Sequence, residues 1–394
     1  MTSEILIINK NAIAMAADSA VTVGNKKTYM GVNKLFMLSN NPPMGIMIFG
    51  SANFGRVPME TLIKEFRSKT NFEQLANIEN IKNEFLSYLD NISNEDTSID
   101  IFKELDDFKN YLIGYSNKCS DEKWNNIINS IKNGKSISFF EKDEINKKKY
   151  YDEIEKISSS LTDNRAMNED LVEKCFCEAL IDASTGIVIA GFNETDFFPS
   201  FISFKLFKDL EGNLISSDEH SEINFKGSAI IPFAQQDVIN NFIYGISDQL
   251  NGAIVKFFSN FIDGYLDELI DSMKSNNKLN GKDLNTALSE VKRIKSFNES
   301  RVMDLVNTIN QFKNMTSNPI FKSIDALPKD ELANMAESMI HITSLKRKIA
   351  SDLESVGGDI DVALISKGDG FIWKKRKHYF KAELNPHFFD RNKE

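Results

Sequence analysis

The first fifty residues constrain the fold more than any other stretch. Two short apolar runs, residues 5–8 (ILII) and 12–17 (AIAMAA), are separated by Asn9, Lys10 and Asn11. Turn-forming residues between apolar runs are the signature of a tight β-hairpin. The first run begins so close to Met1 that the chain start is expected to be held by a sheet instead of trailing free. A third run, residues 35–38 (LFML), continues the strand pattern.

Thr2 stands directly after Met1. Initiator methionine is commonly trimmed before so small a residue, and the mature chain is then expected to start with threonine. Such a residue carries a hydroxyl nucleophile and an α-amine whose ordinary pKa of roughly 7.7–8.0 lets it accept a proton near neutrality. A terminal threonine activated by its own amine is a known nucleophile–base pair. It needs a nearby cation to favour the alkoxide, and an anion to hold that cation. Asp18 closes the second predicted strand and Lys34 opens the third, so a hairpin and a returning strand can bring both to Thr2.

Thr2, Asp18 and Lys34 are spaced sixteen and again sixteen residues apart, with Ala16-Ala17-Asp18-Ser19 around the aspartate. This segment resembles the start of a proteasome β-type subunit, the N-terminal-nucleophile hydrolase family that includes the bacterial proteases HslV and Anbu. The resemblance implies an α+β fold, a four-layer α-β-β-α sandwich of two antiparallel sheets with helices outside. It implies Thr2 as nucleophile and Lys34 as electrostatic catalyst oriented by Asp18. Gly50, in Ile48-Phe49-Gly50-Ser51, matches the oxyanion N–H donor. Ser228, in Lys226-Gly227-Ser228-Ala229, matches a serine that bonds near the terminal amine. Asp352 and Ser355 have the three-residue spacing of a further amine-tuning pair. Val21 and Val32 flank these residues in sequence and are expected to line an apolar specificity pocket.

Beyond residue 50 the period changes. Ile78, Ile81, Phe85, Leu89 and Ile92 recur at helical spacing, as do Ile101, Leu105, Phe108 and Leu112. The family core has two helices here, so residues 95–168 are read as an inserted helical region. Sheet pattern is expected to return at residues 175–181, 186–192 and 201–207, with Cys175 and Cys177 on one strand face. A short strand at 223–225 and the Gly227-Ser228 turn then lead to a helical block from Ala234, of which residues 250–325 form a second insertion. The last helix is expected to present Leu332, Met335, Met339, Ile342, Leu345, Ile349 and Leu353 as one stripe. Residues 361–366 and 370–373 read as a closing hairpin. The core is thus expected over about 2–94, 169–249 and 326–380 of a single domain spanning 2–394.

Composition narrows the functional classes. A net charge of −10 argues against nonspecific binding to nucleic acid or acidic membranes. The basic run Lys374-Lys375-Arg376-Lys377 is read as an edge-strand guard against unwanted pairing. Three cysteines make no disulfide framework and four histidines fall at no metal-ligand spacing. No cofactor or metal is expected, nor a membrane span or signal peptide, and the expected location is cytoplasmic. Gly50-Ser51-Ala52-Asn53-Phe54-Gly55 is followed by Arg56-Val57 where a phosphate loop needs Lys-Ser or Lys-Thr. A Gly-x-Ser-x-Gly elbow is absent from the sequence. The reading is a threonine-type endopeptidase acting on peptides or unfolded protein within a self-assembled ring or spiral, with a separate ATP-dependent unfoldase as a partner the resemblance allows. The alternatives are a non-catalytic scaffold subunit and a small-molecule amidase.

Overall fold

The computed structural model describes residues 3–23, 27–75, 77–92, 97–119, 121–132, 137, 139–140, 143–161, 165–209, 211–275, 281–296, 298–350, 356–378 and 380–387. The chain forms two compact units, residues 1–234 with 327–394, and residues 235–326. It is a mixed α+β structure with antiparallel sheets.

In the first unit, β1 (Ser3–Ile8) and β2 (Ile13–Ala17) form the expected hairpin. Asn9 closes it: its side-chain oxygen accepts from the N–H groups of Asn11 (3.0 Å) and Ala12 (3.1 Å). Two hairpins, β3 (Val21–Val23) with β4 (Lys27–Tyr29) and β5 (Leu35–Asn40) with β6 (Pro43–Gly50), follow, then the small pair β7 (Asn53–Phe54) and β8 (Val57–Pro58). Later come β9 (Thr185–Gly191), β10 (Ser200–Lys208), β11 (Leu214–Glu222), β12 (Ala229–Ala234), β13 (Asp361–Ser366) and β14 (Gly370–Lys375). One five-stranded sheet has the order β12-β1-β2-β13-β14, the other β11-β10-β9-β6-β5.

The sheets share a core in which Leu6, Ile8 and Met15 of the first meet Met47, Phe49, Val188 and Phe201 of the second. Side chains alternate along a strand, so Ile46, Ile48, Ile187 and Ile189 point the other way. They pack there with Leu62, Ile63 and Phe66 of α1 (Met59–Lys69) and Ile81, Phe85 and Leu89 of α2 (Ile78–Asp90). Strands covered on both faces read as unbroken apolar runs, not as alternation, which explains ILII and AIAMAA.

Residues 101–183 add α3 (Ile101–Ser116), α4 (Asp121–Ile131), α5 (Glu144–Ser160) and α6 (Glu169–Ala183). They surround a core of their own that includes Phe108, Trp124, Tyr150 and Phe176. The strand expected at 175–181 is therefore wrong: these residues are helical. Asn168 caps α6 by accepting the Leu171 N–H at 2.9 Å, and Val172, Phe176, Cys177 and Leu180 are its buried face. A short apolar run is ambiguous in period, and the cap with two acids in the first turn decides it.

The polar strand β11 has no apolar pattern, because it is an edge strand exposed along much of its length. It ends at Glu222, so residues 223–225 are not a strand. The Gly227-Ser228 turn leads into β12, not into a helix, and Pro232 is tolerated there because β12 is an edge.

The second unit contains α7 (Asp237–Tyr244), α8 (Asp248–Ser275), α9 (Gly281–Ser296) and α10 (Asn298–Ala326). Back in the first unit, α11 (Lys329–Ala350) packs on β1 and β2. Its buried face is Leu332, Ala333, Ala336, Met339, Ile340 and Thr343. Ile342, Leu345 and Ile349 are exposed, contrary to the expected stripe; small alanines let the helix sit close on the sheet, which rotates the contact face. Leu353 lies outside the described residues.

Candidate functional site

At the Ser3 end of β1 the hairpin is closed by a reciprocal pair of bonds. The Asp18 N–H donates to the Ser3 carbonyl at 3.1 Å, and the Ser3 N–H donates to Asp18 Oδ1 at 3.1 Å. Asp18 Oδ2 accepts the Gly357 N–H at 2.9 Å, while the Ser19 N–H donates to the Gly357 carbonyl at 3.2 Å. One residue of the segment before β13 thus clamps both sides of the Asp18–Ser19 peptide. The next, Gly358, has φ +76°, and a Cβ there would lie 2.3 Å from Ser19 Oγ, so only glycine fits.

Lys34 enters from the neighbouring sheet, its carbonyl accepting the Ile48 N–H at 2.8 Å. Its ammonium donates to Asp18 Oδ1 and lies 3.2 Å from Glu4 Oε1. Lys34 is 2% exposed, and Glu4 and Asp18 are 0% exposed. Glu4 was not singled out from the sequence. Its signal was a lone acid in an otherwise apolar run, since a fully buried carboxylate needs a partner.

A third buried carboxylate extends the cluster. Glu4 and Asp361 both lie opposite Ala17, on the strands to either side of it. Asp361 accepts from Arg376 Nη1 at 3.0 Å, from the Lys377 N–H at 2.8 Å and from the Lys377 ammonium. Three acids therefore face three cations at one end of the two sheets. Burial pushes the Lys377 ammonium below the usual lysine range; the hydrogen bond and charge of Asp361 oppose this, and the positive charges of Arg376 and Lys34 add to the fall. The basic run is thus not a simple edge guard. Arg376 and Lys377 turn inward, while Lys375 pairs with Glu337 at 2.6 Å and Lys374 with Asp330 on α11.

Glu60, in the first turn of α1, accepts from Asn33 Nδ2 at 2.9 Å and from the Lys64 ammonium at 2.6 Å. Burial alone would raise its carboxyl, but these two bonds and the charges of Lys64 and Arg376 hold it below the ordinary value. Glu60 so fixes the residue that precedes Lys34.

Gly50 ends β6 two residues beyond Ile48, at the Lys34 end of its sheet, opposite Thr185. Its φ is +72°, and a Cβ would meet the Ser184 carbonyl at 2.7 Å. Val21 and Val32 are half-buried on the segment that returns toward Lys34, with the Val32 N–H donating to the Ser19 carbonyl at 3.1 Å. An open cavity of 460 Å³ lies elsewhere, lined by Lys10, Phe192, Lys329 and Lys367 among others, at the turn end of β1–β2. Thr2, Asp352 and Ser355 lie outside the described residues.

Ser228 is not at this site. Ala229 pairs with Ile8 and Ala234 with Ser3, so Ser228 sits beyond the far end of β1. Five strand steps, about 17 Å, separate those two ends. The expected amine-tuning role fails because the Gly-Ser turn precedes a strand that runs back toward the site. Ala234 is the residue opposite Ser3, and its φ of +62° is left-handed, a strained backbone beside the cluster. Among the described residues, no group of three or more His, Cys, Asp or Glu side chains is arranged to hold a metal ion, and no helix is long and apolar enough to cross a membrane.

The fold and site define a mixed α+β protein with a buried lysine–carboxylate cluster at a strand start. No known family model and no curated protein matches the chain. Among solved structures it is similar to Anbu, the ancestral β-subunit from Yersinia bercovieri, at 8% identity and a TM-score of 0.31, covering 99% of this chain and 94% of that one. A likeness at that level carries no argument.

Proposed function

We propose that this chain is an N-terminal-nucleophile hydrolase of the threonine-peptidase type, on a four-layer α-β-β-α sandwich with helical insertions over 95–168 and 250–325 of a core spanning about 2–94, 169–249 and 326–380. The observation that carries the reading is the buried Asp18–Lys34 pair held against the Ser3 N–H. That nitrogen is bonded to the carbonyl carbon of residue 2, so the cluster lies one residue from the proposed nucleophile.

In this reading Met1 is removed and Thr2 Oγ attacks the scissile carbonyl carbon. The Oγ proton passes to the Thr2 amine and then to the leaving amine as the amide C–N bond breaks. Water, deprotonated by the same amine, releases the acyl group from the ester. The Lys34 ammonium stabilises negative charge on Oγ, with Asp18 and Glu4 holding it in place. The Gly50 N–H stabilises the oxyanion, a contact typically worth about 2.7–4 kcal/mol. Asp352 and Ser355 tune the amine, and Val21 and Val32 form the side walls of an apolar subsite. The substrates are peptides or unfolded protein, cleaved in a cytoplasmic ring or spiral of identical chains, with an ATP-dependent unfoldase as feeding partner.

Intact mass spectrometry tests the reading. Loss of Met1, with a covalent adduct on Thr2 from a peptide epoxyketone and none in Thr2→Ala, is the expected result. Retained Met1 with no adduct would refute it and favour a non-catalytic scaffold subunit, a second reading that the displaced Ser228 supports. Turnover of small amides but not of peptides would identify an amidase.

A further inference from the structure

Helix α8 is apolar on two faces. Along one, Val255, Phe258 and Ile262 are half-buried and Leu266 is buried. One residue step away, Leu250, Ile254, Phe257, Phe261 and Tyr265 form a second stripe at spacings of four, three, four and four. Each is between 36% and 71% exposed. A single residue step turns a helix by about 100°, so the stripes are adjacent and together cover about half the circumference. Polar residues (Gln249, Lys256, Asn260, Asp263 and Asp267) take the remaining face. An apolar arc of this width exceeds the stripe of about 100° that a surface helix needs to face its own core.

The exposed stripe is already ordered. The Phe257 and Phe261 rings stack at 6.1 Å between centroids with planes 20° apart, and Phe261 and Tyr265 at 6.4 Å and 13°. This is a flat ladder of rings along the exposed face. On the stripe side, Gly264 leaves open space where a Cβ would stand, so another helix can approach closely.

We infer that α8 is a self-association surface: its Leu250–Ile254–Phe257–Phe261–Tyr265 stripe packs against the same stripe of a second copy of this chain. The area is enough for a second copy. With about 200 Å² for a large side chain, the exposed fractions amount to about 500 Å² per chain. Two copies then remove about 1,000 Å² from water, the size at which specific interfaces begin. The stripe also carries no charge from 250 to 265, so nothing in it demands a partner of complementary sign, and a two-fold interface matches like with like. The inference is independent of the threonine chemistry proposed above.

Sedimentation velocity on the full chain tests it, comparing wild type with Phe257→Asp/Phe261→Asp. The wild-type particle is expected to hold an even number of chains, and the variant half as many, with a dissociation constant raised at least about 100-fold for the loss of two central aromatic anchors. Both side chains are exposed, so far-UV circular dichroism should not change. Phe257→Cys provides a second measurement that leaves the rest of the stripe intact. The stripe is centred on residue 257, so this variant should form a disulfide-linked dimer under mild oxidation where wild type does not. A wild-type monomer at about 100 μM, an assembly unaltered by the two aspartates, or no cross-link through Cys at 257 in an associating protein would each overturn the inference.

Discussion

Replacing Lys34 by methionine tests the electrostatic account of the cluster most directly. Methionine keeps the unbranched stem and removes only the ammonium. Glu4 loses its contact at 3.2 Å and Asp18 loses its bonded cation, and both carboxylates are fully buried. Removing one partner of a buried ion pair typically costs about 3–5 kcal/mol, because the remaining charge is left uncompensated. Asp18 keeps two amide donors, from Ser3 at 3.1 Å and Gly357 at 2.9 Å. Adding Glu4→Gln to Lys34→Met removes one of the two carboxylate charges that faced the lysine. The double variant should therefore be more stable than the single one by about 1–2 kcal/mol, within the coupling expected of contacting residues. Urea unfolding followed by tryptophan fluorescence measures this; Trp373 stacks with Arg376, 4.3 Å away, and so reports on this end of the sheet. A loss below about 1 kcal/mol, or a double variant weaker than Lys34→Met, would refute the idea that this lysine balances the buried charge of Asp18 and Glu4.

Glu60→Gln should cost about 1 kcal/mol at pH 7, the value of a charged hydrogen bond discounted for partial exposure. Because the folded carboxyl lies below its ordinary value, that contribution is present above the ordinary pKa and lost as pH falls through the folded one. Wild type and variant should thus converge in acid urea titrations. Burial pushes the thiols of Cys175 and Cys177 up to about 11 and about 12. At pH 8 their alkylation should be slower than in the unfolded chain by at least about 100-fold, and should rise about tenfold per pH unit up to pH 10; peptide mapping after iodoacetamide treatment reads both. Gly50→Ala should destabilise by about 1–2 kcal/mol from left-handed strain alone, with more from the Ser184 carbonyl. A variant as stable as wild type in the same titration would contradict that glycine requirement.

Much of the sheet core was legible because its strands are short, apolar and bounded by turn residues, as in the hairpin closed by Asn9. The pairing of Asp18 with Lys34 was legible from the first hairpin and the returning strand after it, which bring the two residues together from adjacent sheets. Cys175 to Ile181 was misread because an apolar run of seven residues fits either period, and β11 was missed because an edge strand needs no apolar face. Ser228 was misplaced because a local turn motif says nothing about the direction of the strand that follows it.

The sequence alone determined the hairpin, the residue types at Asp18 and Lys34 and the glycine at 50, since these follow from local turn chemistry, strand period and backbone conformation. Only the tertiary structure decided that Glu4 and Asp361 join them, that Arg376 and Lys377 point inward, and that Ser228 stands a strand length away. The placing of Asp361 beside Ala17 and of Ser228 at the far end of β1 depends on pairing between strands more than a hundred residues apart in the chain. There, register and burial select the partners of a buried charge, and no local pattern encodes which partners they are.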